Sequence, residues 1–155
     1  MIVVSDTSPI NYLVILGYVD VLPRLFGTVI IPQEVVRELT ASKTPQRVQD
    51  WVNAKPDWLE IRSGNSYFVD DQLAFGESFA IGLALEINSD LVLIDEMSAR
   101  AVAEEQGLTV IGIVGVLERA HQQGFLDLTT ALAELKATTF YISDSLIKRV
   151  IDRNP

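Results

Sequence analysis

The sequence predicts an α/β fold, a three-layer α/β/α arrangement around a central, mostly parallel sheet of four or five strands. Two observations carry this. Strand and helix signals alternate along the chain. The strand candidates, such as TVII and LVLI, are apolar at successive positions, so both of their faces must be covered by helices. At 155 residues, 48% of them hydrophobic, the chain suits a single domain, 1–155, with a sizeable core.

The elements follow in order. Ile2–Ser5 reads as a strand, and Ser8-Pro9 suits the first turn of a helix. Asn11–Leu16 and Val19–Phe26 give two short helical pieces broken at Gly17 and Pro23. Thr28–Ile31 is a β-branched strand. Pro32 then opens the helix QEVVREL, with Val35, Val36 and Leu39 as its apolar stripe and with Glu34 and Arg37 as ordinary surface. Pro45–Ala54 is an amphipathic helix, Trp58–Ile61 a short edge strand and Ser63–Ser66 a loop. Ala80, Ile81, Ala84 and Leu85 recur at helical spacing within Phe75–Ile87. Leu91–Ile94 and Leu108–Ile111 are strands on either side of the helix Met97–Gln106, which Gly107 ends. Gly112 turns into a helix that reaches about Gln123, and Asp127–Lys136 and Ser143–Asp152 are the last two helices.

Composition narrows the chemistry. There is no cysteine, so disulfides and thiolate metal sites are excluded and a reducing, cytoplasmic setting is expected. No basic segment precedes the first strand and no long apolar run follows, so neither a signal peptide nor a membrane span is expected. A net charge of −9 argues against a broad basic face for nucleic acid. It leaves room for a nucleic-acid enzyme whose acids gather around a cation, because a bound divalent metal reverses the local field.

Two acids stand at the carboxyl ends of strands, where open parallel sheets bind their ligands. Asp6 follows IVVS and Asp95 follows LVLI. Each can cap the next helix or belong to a site, and the recurrence at matching positions favours a site. Glu77 falls on the apolar stripe of its helix, where a carboxylate needs a partner, a metal or a raised pKa; it also lies in the first turn, where it complements the helix dipole. Glu38 borders the apolar stripe of QEVVREL, usually the place of a solvated flank. Four carboxylates from separate segments suit Mg²⁺ or Mn²⁺, which prefer oxygen ligands. With one histidine, His121, and no cysteine, Zn²⁺ is the poorer match. Such a site can activate a water and stabilise the leaving oxyanion in phosphodiester hydrolysis.

Four stretches together carry a resemblance: DTSPINYLVILGYVDVLPRLFG from Asp6 to Gly27, VIIPQEVVREL from Val29 to Leu39, FGESFAIGLALEINSDLVLIDEMSAR from Phe75 to Arg100, and GLTVIGIVGVLERAHQQGFL from Gly107 to Leu126. In order and spacing they resemble the PIN-domain family of metal-dependent ribonucleases, and most nearly a subgroup that opens with an Asp-Thr-Ser-Pro motif. The resemblance implies an acidic cluster of Asp6, Glu38, Glu77 and Asp95 that holds one or two Mg²⁺ or Mn²⁺ ions and cleaves RNA, with Glu96 as a further, outer member. It also implies a toxin neutralised by a small antitoxin protein, and a homodimer, for which Leu13, Val14, Leu16, Tyr18 and the exposed side of the last helices are candidate contacts. Ser8 matches the family's small hydroxyl residue and is expected to hydrogen-bond Asp6 or a water on the metal, or to cap the helix that Pro9 opens. Arg100 matches a recurrent position, with phosphate contact or the orientation of Asp95 or Glu96 as its role. Two departures stand out. Ile113 replaces a frequent hydroxyl residue, so that G-I-V-G offers only backbone N–H groups at a helix start. His121 replaces a common lysine and reads as a surface residue.

Two other readings use the same residues. LVLIDEMS looks like an aspartate-bearing phosphorylation loop of a signalling domain, although no lysine follows the LTVI strand to hold a phosphoryl group. The charge of −9, Ile113 and His121 also suit a PIN-like binding module with little catalysis.

Overall fold

The computed structural model describes residues 1–63 and 66–155. The expected loop Ser63–Ser66 therefore lies in part outside the described residues. Five strands form one sheet: β1 (Val3–Ser5), β2 (Val29–Pro32), β3 (Leu59–Arg62), β4 (Leu91–Leu93) and β5 (Val110–Ile111). Their spatial order is β3-β2-β1-β4-β5, and every pairing is parallel. The chain moves outward from β1 through β2 to β3, then crosses back to lay β4 on the other side of β1. The topological switch point thus falls between β1 and β4, where parallel sheets leave a crevice beyond the strand ends.

The helices are α1 (Thr7–Leu16), α2 (Val21–Phe26), α3 (Gln33–Leu39), α4 (Gln46–Asn53), α5 (Phe75–Glu86), α6 (Met97–Glu105), α7 (Ile113–Gln122), α8 (Leu128–Lys136) and α9 (Asp144–Asp152). The period-2 alternation of the strands divides the core into two layers. Val3, Val29, Ile31, Leu91 and Leu93 face one way and pack with α1, α2, α7 and α8. Val4, Ile30, Val92 and Ile94 face the other way, onto Ala80, Ile81 and Ala84 of α5 and Ala99, Val102 and Ala103 of α6. Each of these side chains is at least 95% buried, which explains why strands so short are apolar at every position. Small residues let α5 come close: a Cβ on Gly82 would stand 2.5 Å from the Ser66 carbonyl oxygen.

Several expectations are corrected here. Pro23 does not break a helix. It occupies the third position of α2, in the first turn, where a missing N–H costs no helical hydrogen bond. That helix starts at Val21 rather than Val19. The first helix starts at Thr7, one residue before Ser8, with Asp6 at its N-cap position. Leu13 and Val14 are buried in the core beneath α8 and are not available for a dimer contact. Tyr18 donates its hydroxyl to Glu134 of α8 at 2.7 Å. Among the described residues no helix is long and apolar enough to cross a membrane.

Candidate functional site

Asp6 directly follows β1 and Asp95 lies two residues beyond β4, at the carboxyl ends of neighbouring strands. The Asp6 backbone N–H donates to the Leu93 carbonyl at 2.9 Å, which extends the β1–β4 ladder to the point where both acids emerge. Both caps and sites were open for Asp6. It holds the N-cap position of α1 with extended backbone, yet its side chain makes no capping hydrogen bond. Its carboxyl is instead buried, 6% exposed, and lines a cleft of about 600 Å³.

Glu38 from α3 and Glu77 from α5 line the same cleft. Glu38 Oε1 accepts from the Thr7 hydroxyl at 2.6 Å. Gly76 makes room for it: a Cβ there would lie 1.8 Å from that oxygen. Glu77 sits at the third position of α5 and accepts from the Ala74 backbone N–H at 2.8 Å. This is the side-chain half of a capping box only, since alanine has no acceptor to return. The helix-end role and the cleft position therefore coexist in one side chain.

Asp95 is half-buried and stands beside the cleft rather than in its lining. Its Oδ1 accepts from the Ile113 backbone N–H at 2.6 Å, and its Oδ2 from the Ser8 hydroxyl at 2.9 Å. Ser8 thus bonds Asp95, not the expected Asp6, and it does not cap the helix. The parallel pairing of β1 with β4 brings the start of α1 over the end of β4, a contact between residues far apart in the chain. The G-I-V-G turn has a related use. Its first N–H fixes a carboxylate, and the Ile113 side chain fills the core. Gly112 is required there, because a Cβ would meet Asp95 Oδ1 at 2.8 Å.

Charge is under strain in this cluster. Burial, above all, pushes the Asp6 carboxyl up to about 8; the Thr7 backbone amide opposes this, and the charges of Glu77, Glu38 and Asp95 add to it. Burial likewise raises Glu77, eased by its bond from Ala74 and aggravated by Glu96 and Glu38. Asp95 is raised by burial and held back by the Ile113 N–H, the Ser8 hydroxyl and the nearby Arg100. The Arg100 charge thus favours the ionised form of Asp95. Glu96 is exposed at the N-cap of α6, on the outskirts of the cluster.

The sequence reading missed Glu34. It is 9% exposed, lines the cleft, and one of its carboxylate oxygens finds no hydrogen-bond partner among the described residues. The signal was present: Glu34 precedes Glu38 by four residues, so the helix that Pro32 opens stacks both on one face. Arg37, 3.7 Å from Glu34, and Lys43 also line the cleft. His121 is half-buried and structural. Its Nδ1 lies 3.2 Å from both the Leu126 carbonyl oxygen and the Leu128 N–H, at the turn into α8.

The donor set is all oxygen, which fits a hard divalent cation. Among the described residues no three histidine, aspartate or glutamate side chains are gathered closely enough to enclose an ion unaided. Mg²⁺ needs no such cage, since it usually takes one or two carboxylates and completes its shell with water and substrate phosphate.

Comparison with known proteins bears on the fold and the family. A search of curated proteins finds no significant match. A PilT N-terminus domain protein from the hyperthermophilic archaeon Sulfolobus solfataricus P2 shares the fold, with a TM-score of 0.57 and 19% identity over 77% of this chain and 93% of that one. The family described as PIN domain, whose fold is generally that of nucleases and whose members usually depend on divalent metals, matches residues 2–154. The chain belongs to the PIN-domain family.

Proposed function

We propose that this protein is a Mg²⁺- or Mn²⁺-dependent endoribonuclease that hydrolyses RNA phosphodiester bonds, with Asp6, Glu38, Glu77 and Asp95 as its metal-holding and catalytic acids. The observation that carries the proposal is the buried carboxyl of Asp6, raised to about 8 among acids brought together from β1, α3, α5 and the end of β4. A protein that gathers carboxylates where they penalise one another gains most from a cation that neutralises them. When bound, that cation supplies Lewis-acid stabilisation of the phosphoryl charge and a more acidic water.

The protein's own residues prepare the site. The Thr7 hydroxyl holds one oxygen of Glu38 and leaves the other for a ligand. Ser8 and Ile113 fix the Asp95 carboxylate from two sides, and Arg100 lends it positive charge. With its carboxyl raised to about 8, Asp6 would hold a proton at neutral pH in the free protein and would give it up to a bound cation. Arg37 and Lys43, on the cleft wall, suit the phosphates that flank a scissile bond. Purified protein is expected to cleave RNA with Mn²⁺ or Mg²⁺ and to stop on addition of EDTA. Asp6→Asn and Asp95→Asn are each expected to lose at least about 100-fold in rate, as removal of a main electrostatic group does. Full activity in both variants overturns the proposal. The aspartyl-phosphate reading gains no support, because no lysine follows the LTVI strand to hold a phosphoryl group.

The biological role belongs to the same proposal: a toxin whose small antitoxin partner covers the acidic cleft and presents Arg or Lys to its carboxylates. A homodimer goes with it, using the half-exposed side of α9 rather than the buried Leu13 and Val14.

A further inference from the structure

Phe75 is the first residue of α5, two positions before Glu77, and it lines the acidic cleft while remaining 53% exposed. A large apolar ring held open to water at the mouth of a charged cleft has no role in the core. Its orientation is nevertheless supported. Phe79, one helical turn on, meets it edge-on at 5.0 Å and 67°, and Tyr67 meets Phe79 at the same distance and angle. Arg37 and Lys43 line the same cleft and are exposed. One cleft therefore offers acids for a cation, two cationic side chains for phosphate, and a buttressed ring more than half exposed to solvent.

We propose that Phe75 is a base-stacking residue, which takes an unpaired base next to the scissile phosphate. This rests on the nuclease reading of the same cleft. A nucleotide strand is the occupant that uses all three features: phosphates meet Arg37 and Lys43, and a base meets the ring. In a duplex the base faces are already stacked on their neighbours, so only a splayed-out nucleotide can reach Phe75.

The test is steady-state cleavage, with Mn²⁺, of short single-stranded oligoribonucleotides, some carrying one abasic site at successive positions. Phe75→Ala is expected to raise KM about tenfold, a typical loss for one stacked base, with kcat changed less than about twofold. Phe75→Trp should restore KM. Tyr141→Ala, at a side chain 89% exposed and absent from the cleft lining, should leave both constants unchanged. At one abasic position, wild type and Phe75→Ala should become equal. Equal KM for the two proteins on intact RNA overturns the stacking role while leaving the nuclease reading in place. Absence of any metal-dependent cleavage by wild type overturns both. Unchanged RNA kinetics in Phe75→Ala, together with lost inhibition by a purified protein partner, assigns the ring to protein docking and overturns the proposal.

Discussion

Asp6 shows how one residue links stability to function. Its carboxyl titrates at about 8 in the folded chain and at 3.8 as an ordinary group. Between those values the native state holds a proton that the unfolded state has released. The resulting contribution to stability is complete below the unfolded value and is lost as pH rises through the folded one. Metal-free wild type is therefore expected to lose stability relative to Asp6→Asn as pH rises. The Tm advantage of the variant should be roughly 10 °C greater at pH 8.5 than at pH 5, from the size of the shift and the usual Tm response of a domain this long. Melting curves in EDTA at the two pH values measure it; a gap that does not change with pH would show that Asp6 is ionised in the free protein. Asp6 and Asp95 were legible in the sequence because both follow an apolar strand directly. The bond from Ser8 to Asp95 was not, since it depends on which strands become neighbours, and local pattern carries no record of that.

At the scale of elements, the cleft depends on the close approach of α3 to α5. Gly76 is helical and buried, so alanine suits its backbone, but the added Cβ would fall on the Glu38 carboxylate. The obstacle is the far end of a flexible side chain, which can move aside. Gly76→Ala is thus expected to keep a Tm within about 3 °C of wild type, the response to less than about 1 kcal/mol in a domain of this size. It should weaken Mn²⁺ binding at least about tenfold, in line with the loss of ligand orientation in metal sites. Thermal melts and calorimetry separate the two effects, and a variant that binds Mn²⁺ as wild type does would show that Glu38 takes no part. Glu34 is the instructive omission at this scale. Its spacing from Glu38 placed it on the same helical face, but a charged residue beside an arginine three positions on reads as solvent-exposed unless the opposing element is known.

For the molecule as a whole, the α/β/α architecture and the order of its elements were legible because buried parallel strands leave a strong mark, apolar on both faces and bounded by helix starts. The fate of Leu13 and Val14 was not legible. Their exposure depends on α8, which comes back over α1 from more than a hundred residues away. The proposed partnership also belongs to this scale. Tagged protein expressed in its native host is expected to co-purify with a small protein that inhibits RNA cleavage by the isolated chain. Recovery of the chain alone, as active before removal of bound proteins as after, would contradict the toxin–antitoxin role.

The central claim is that the acidic cleft is a divalent-cation site. Calorimetric titration of the purified protein with Mn²⁺, repeated in buffers of different ionisation enthalpy from pH 6.5 to 8.5, tests it most directly. The expected result is saturable binding with proton release and an affinity that rises by up to about tenfold per pH unit below the Asp6 value; both binding and proton release should be lost in Asp6→Asn. No binding at millimolar Mn²⁺, or binding that Asp6→Asn leaves unchanged, would contradict it.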